Sequence, residues 1–141
     1  MITLSLPSLR QNRTQLTFPS TLYLCPVLEL LLQHIPSEFK PELKLGLQEA
    51  LVNAAKHGNQ LDPQKSVSVE YYQTKEGFFW VISDEGAGLG KSYFNSHCLN
   101  PELPPEDATS GRGLCILVQI FDQVHWNAQG TQLRLCKQIS C

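Results

Sequence analysis

The sequence predicts an α+β fold, a two-layer sandwich in which helices cover one face of a mixed, mostly antiparallel sheet. Two hairpin patterns support the sheet: β-branched and aromatic runs at 66–73 and 78–83, and a second pair at 123–127 and 131–137. Between and before these hairpins, apolar residues recur at helical spacing. The 141 residues, 42% of them hydrophobic, fit one domain with a single core.

The first elements follow from short apolar patterns. Residues 14–18 predict a short strand, and the weakly alternating residues 1–13 predict an N-terminal extension or edge strand. The apolar run 22–32 predicts a first helix, with Pro26 acceptable only near its start. We therefore assign residues 14–141 to one domain.

The second helix, which we expect to end at Gly58, carries an unusual stripe of side chains. Glu49, Asn53 and His57 follow one another at four-residue steps, so in an α-helix they project from one face. A carboxylate there can serve as a general base beside a terminal phosphate, and a neutral amide oxygen suits Mg²⁺. The plainer alternatives are a solvated Glu49 and a His57 that packs or caps the helix end.

An acidic residue and two glycines follow the first hairpin. The Asp84 carboxylate can accept a hydrogen bond from an exocyclic amine such as that of adenine, while Gly86 and Gly88 let backbone approach a ligand. The alternative is an aspartate that only starts a turn. The stretch 86–110 has no sustained period, which predicts a long functional loop.

A second glycine pair precedes the last predicted helix, 111–121. Free N–H groups at Gly111, Gly113 and Leu114 can hold phosphate at the helix start, and Arg112 can add positive charge. The alternative is a hinge, with Arg112 directed to solvent or to a protein partner. The chain has no P-loop sequence, and its glycines do not follow a βαβ pattern, which excludes P-loop and dinucleotide folds.

Composition narrows the class of protein. The net charge of −2 shows no basic surplus, so direct binding to nucleic acid or to an anionic membrane is not expected. No apolar run approaches the roughly 20 residues of a spanning helix, and we expect a cytoplasmic protein. The five cysteines form no Cys-x-x-Cys pair, which indicates reduced thiols and neither a disulfide framework nor a zinc site.

The motifs together resemble those of the GHKL ATPase superfamily, whose histidine-kinase-like ATP-binding domain has the Bergerat fold. The resemblance rests on four segments in order: Glu49-x-x-x-Asn53, Asp84-x-Gly86-x-Gly88, Gly111-x-Gly113 and Gly130-Thr131. The sequence Asn-Ala-x-x-His-Gly at 53–58 looks most like the anti-sigma factor serine-protein kinases of bacterial partner-switching systems. The similarity extends over about residues 14–137.

The resemblance implies roles for individual residues. Glu49 would be the catalytic base, Asn53 the Mg²⁺ ligand and Asp84 the acceptor of the adenine amino group. The implied nucleotide contacts are Asn53, His57, Asp84, Gly86, Gly88, Gly111, Arg112, Gly113, Leu114 and Thr131, the last through a water. Residues 89–110 correspond to the ATP lid. Sporulation-type members carry an arginine two residues before the first lid glycine, whereas this chain has Thr109, and Arg112 is the candidate substitute.

The resemblance therefore implies an ATP- and Mg²⁺-dependent serine-protein kinase. In that family the substrate is a serine on an anti-anti-sigma (STAS-domain) protein, and the kinase, a homodimer, alternatively sequesters a sigma factor. The leading alternative is a nucleotide-gated regulatory binding module without kinase turnover, although a pure sensor has no need of Glu49. A stand-alone histidine kinase catalytic domain ranks below both, because the four histidines sit in unsuitable contexts.

Overall fold

Six strands of the chain form a single sheet. The computed structural model describes residues 2–5, 13–87 and 108–139, with side chains for all of these except 5 and 108–113. The strands are β1 (Thr3–Ser5), β2 (Thr14–Pro19), β3 (Ser66–Gln73), β4 (Gly77–Ser83), β5 (Gln123–Trp126) and β6 (Gln132–Gln138). Their order across the sheet is β1-β2-β3-β4-β6-β5, and every described pairing is antiparallel. The sequence predicted a mixed sheet, but no parallel pair occurs among the described strands.

The helical layer lies against one face of this sheet. Its members are α1 (Cys25–Leu32), α2 (Lys40–Val52), a π-helix (Asn53–Gly58) that continues α2 without a break, and α3 (Ala108–Ile120). Period-two alternation directs one face of each strand toward these helices. The most deeply buried side chains come from both layers: Leu16, Phe18, Leu43, Leu47, Leu51, Val67, Trp80, Leu117, Leu133 and Leu135. This arrangement confirms the predicted α+β sandwich.

The two hairpins are confirmed almost residue for residue. Strands β3 and β4 pair from Ser68↔Ser83 to Gln73↔Phe78. Strands β5 and β6 pair from Gln123↔Cys136 to Trp126↔Leu133. Gly130, in the second turn, has a φ of 75°, a backbone conformation that favours glycine. Pairing of β4 with β6 joins the hairpins, so the end of β4 and the start of β6 lie side by side.

Two helix boundaries differ from the prediction. The second helix is α-helical only to Val52, after which the backbone widens into the π-helix. Helix α3 begins at Ala108 and therefore includes three residues that we had placed in the long loop. The first helix begins at Cys25, with Pro26 in its first turn as expected. In the described part of the chain, no helix has the length and apolar character needed to span a membrane.

Candidate functional site

The π-helix shapes the region that carries the predicted stripe. The Asn53 N–H still bonds to carbonyls in the preceding turn, Ala50 and Glu49, whereas the Asn59 N–H reaches five residues back to the Ala54 carbonyl at 2.9 Å. The step from Glu49 to Asn53 is therefore α-helical, but the step to His57 runs through a wider turn. The expectation of one continuous α-helical stripe is wrong for His57. Such π-turns occur frequently at functional sites.

Asn53 is buried beside a small cavity, with 7% of its surface exposed. The cavity is lined by residues of α2, the π-helix, β4, β5 and β6 and of the loop after β4: Ala50, Asn53, Ala54, Ile82, Asp84, Trp126 and Leu133. Asn53 is therefore one of the few buried polar residues of the described chain, and it lies at the edge of a cavity. Glu49, half-buried, lies one helical turn before it.

Asp84 lies directly after β4 and is held by its neighbours. Its N–H donates to the Thr131 carbonyl at 2.9 Å, and its Oδ1 accepts from the Gly86 N–H at 2.8 Å. Burial raises the pKa of Asp84 above its usual value, against the opposing effects of the Gly86 hydrogen bond and the Lys65 charge. Thus Asn53 and Asp84, 31 positions apart in the sequence, border one cavity.

Two glycines form the wall beside Asp84. A Cβ atom on Gly58 would lie 2.4 Å from Asp84 Oδ2, and one on Gly86 would lie 1.9 Å from the Gly58 carbonyl oxygen. Gly58 was predicted as the end of a helix and as the last residue of the Asn-Ala-x-x-His-Gly motif, and the structure places it directly against Asp84. Gly88, the third predicted residue of this motif, lies outside the described residues.

Thr131 lies opposite Asp84, just before β6. Its N–H donates to Asn127 Oδ1 at 2.9 Å, and its Oγ1 accepts from Asn127 Nδ2 at 3.2 Å. Because Asn127 supplies a donor to that oxygen, the hydrogen of the Thr131 hydroxyl is free to point elsewhere. Asn127 was missed by sequence reasoning, since an asparagine in a hairpin turn is ordinary.

The remaining predicted contacts lie on or beside helices. Burial lowers the pKa of half-buried His57, and the adjacent Lys56 charge lowers it further, which favours the neutral imidazole. Leu114 is 2% exposed and packs in the core, so only its backbone is available to a ligand. Residues 111–113 lie inside α3 and do not precede it, so the unpaired N–H groups of that helix start are nearer Ala108.

The residues present fit a magnesium nucleotide. Asn53 offers a neutral oxygen, and no group of three or more His, Cys, Asp or Glu side chains suited to a metal occurs in the described ranges. A neutral amide oxygen suits Mg²⁺, which usually binds through one or two protein oxygens together with substrate phosphates. At the other end, the glycines at 58 and 86 allow the end of the π-helix to pack closely against the Asp84 carboxylate and its loop.

The chain belongs to the histidine kinase-like ATPase domain family. The model of that family matches residues 24–137, a range that starts just before α1 and ends one residue before the end of β6. A search of curated proteins found no significant match. The family therefore identifies an ATP-binding, histidine-kinase-like ATPase domain.

Proposed function

We propose that this protein is an ATP- and Mg²⁺-dependent serine-protein kinase of a partner-switching system. It phosphorylates a serine on an anti-anti-sigma (STAS-domain) protein and alternatively sequesters a sigma factor or a similar target, acting as a cytoplasmic homodimer. One observation carries the proposal: Glu49 lies one helical turn from Asn53, a buried residue that borders the same cavity as Asp84.

Each of these residues has a task in the proposed reaction. Asn53 holds Mg²⁺ through its amide oxygen, and Asp84 accepts a hydrogen bond from the adenine amino group. Glu49 takes the proton of the attacking serine hydroxyl as that oxygen bonds to the terminal phosphorus and ADP leaves. Bound ATP supplies the phosphoryl group. Thr131 holds adenine from the opposite side through a water.

The alternative is a nucleotide-gated binding module that captures partners according to whether ATP or ADP is bound. Such a module needs Asn53 and Asp84 but not a general base. The presence of a carboxylate at position 49, in the last turn of α2, favours catalysis.

Phosphate transfer to candidate antagonists tests the proposal. Purified protein is incubated with labelled ATP, Mg²⁺ and STAS domains, and phosphoserine on the STAS domain is measured. Glu49→Ala should abolish transfer while ATP affinity stays near that of wild type. The matched control is Gln48→Ala, an exposed neighbour on the same helix, which should transfer normally. Tight ATP binding without transfer to any STAS domain would favour the binding module.

Arg112 is proposed to supply the positive charge that related kinases place two residues before the first lid glycine, where this chain has Thr109. Its position in the first turns of α3 puts it near a helix N-terminus, which favours anions. Arg112→Ala should slow transfer more than it weakens ATP binding. Unchanged transfer in that variant would remove Arg112 from the mechanism.

A further inference from the structure

We propose that Asn59 is a positioning residue that holds the Asp84 loop against the π-helix and thereby sets the preference of the site for adenine. The inference rests on the proposed role of Asp84 as acceptor of the adenine amino group. Asn59 directly follows the Asn-Ala-x-x-His-Gly motif, and sequence reasoning used it only as a helix end.

The Asn59 side chain joins three separate parts of the chain. It is fully buried, and its Nδ2 donates to Ser20 Oγ at 2.8 Å and to the Ser66 carbonyl at 3.0 Å. Its Oδ1 accepts from the Glu85 N–H at 2.8 Å. The end of β2, the start of β3 and the loop after β4 are thus tied to the end of the π-helix through one amide.

The bond to Glu85 matters most for the site because of where it falls. The N–H of Asp84 is held by Thr131, and the next N–H along the chain, that of Glu85, is held by Asn59. Both peptide groups around the Asp84 Cα are therefore held, which fixes the direction of its Cα–Cβ bond, while the Gly86 N–H holds the carboxylate itself. Without the Asn59 oxygen, the second of these peptides loses its hydrogen bond.

Backbone strain next to Asn59 supports a role beyond filling the core. Gln60 and Leu61 have φ values of 54° and 57°, a left-handed conformation that non-glycine residues adopt at a cost in free energy. The Leu61 N–H returns to the Ala55 carbonyl at 2.8 Å, which closes the turn around the π-helix. Strain of this kind persists only where the surrounding structure enforces it, and it concentrates at functional sites. The turn sets Asn59 in place to reach Glu85.

The selectivity of the protein for ATP over inosine triphosphate shows whether Asn59 positions Asp84 or only stabilises the fold. Inosine triphosphate has a carbonyl oxygen in place of the amino group that Asp84 is proposed to bind, and it carries a hydrogen on N1. The ratio of the ATP and inosine triphosphate affinities therefore reports on how the site recognises this edge of the base. We measure both by calorimetry with Mg²⁺ present. Asn59→Ala should lower the ratio by about tenfold, the loss of one hydrogen bond to a charged acceptor.

Ser20→Ala is the matched control. It removes another hydrogen bond of the same buried group but leaves the Glu85 bond in place, so it should lower stability and keep the ratio. If Asn59→Ala fails to fold, the comparison is repeated in a Gln60→Gly background, since glycine adopts the φ of 54° without strain and Gln60 is exposed.

The outcomes separate this inference from the proposal it rests on. The positioning role of Asn59 would be overturned if folded Asn59→Ala kept the wild-type ratio of ATP to inosine triphosphate affinity. It would also be overturned if Ser20→Ala lowered that ratio as much as Asn59→Ala does. Asp84→Ala is measured alongside. If Asp84→Ala also keeps the wild-type ratio, then Asp84 is not the adenine acceptor and the proposed site itself is wrong. If the affinity ratio drops in Asp84→Ala but not in Asn59→Ala, only the positioning role of Asn59 is rejected.

Discussion

Replacing Gly58 with alanine tests how closely the π-helix and Asp84 must approach. The added Cβ would lie 2.4 Å from Cγ and Oδ2 of Asp84 and 2.7 Å from Oδ1. Ordinary carbon contacts are about 3.5–4.0 Å, so the carboxylate would have to retreat by roughly 1 Å. The backbone itself accepts alanine, because Gly130 is the one described glycine with a positive φ.

The expected effect is on nucleotide binding more than on folding. A retreat of that size breaks the proposed hydrogen bond between Asp84 and the adenine amino group, worth about 1.5–3 kcal/mol for a charged acceptor. Since each 1.4 kcal/mol or so is tenfold in affinity, Kd for ATP should rise by about ten- to a hundredfold. Calorimetry with ATP and Mg²⁺ measures the affinity, and urea unfolding measures the stability of the same variant.

Gly46→Ala provides the control for this experiment. Its Cβ would lie 2.6 Å from the Phe121 ring, in the packing of α2 against α3, with no contact to Asp84. It should therefore reduce stability and leave ATP affinity near the wild-type value. The reasoning fails if folded Gly58→Ala binds ATP as tightly as wild type, or if Gly46→Ala loses as much affinity.

Three further predictions concern other parts of the site and the core. Asn127→Ala removes the donor to Thr131 Oγ1 and should weaken ATP binding about tenfold by calorimetry, with little change in kinase rate at saturating ATP. Burial lowers the pKa of His57 below its usual 6.5, so the unfolded chain binds a proton at this residue more readily than the folded chain does. The free energy of unfolding should therefore decrease as pH falls through 6.5. Urea titrations should show a smaller decrease for His57→Gln. Trp80→Ala removes a fully buried ring packed edge-on against Phe121 at 5.7 Å, and should cost about 3–5 kcal/mol of unfolding free energy.

Much of the fold was predictable because its signals are local. Alternation along β3 and β4, with a turn between them, determines a hairpin within some 20 residues of chain, and its pairing follows from neighbours in sequence. The relation of Glu49 to Asn53 is local too, since one helical turn separates them. Asp84 at a strand end could be predicted for the same reason.

Only the tertiary structure shows how the helical segment with Glu49 and Asn53 packs against the strand end with Asp84. Whether Asn53 borders the same cavity as Asp84 depends on packing between the helical layer and the sheet, which no local period encodes. The π-helix is another such case, because Asn59, which follows it, is held by hydrogen bonds to Ser20 and to the Ser66 carbonyl.

By itself, the sequence determined the α+β class and both hairpins, and it predicted the residues proposed to bind a magnesium nucleotide. Only the tertiary structure assigned Gly58 and Asn59 to the site, because their partners are distant in the chain. Gly58 meets Asp84, and Asn59 bonds to Glu85, 26 positions later, and to Ser20, 39 positions earlier. The physical reason is that a glycine or a buried asparagine acquires its role from what packs against it.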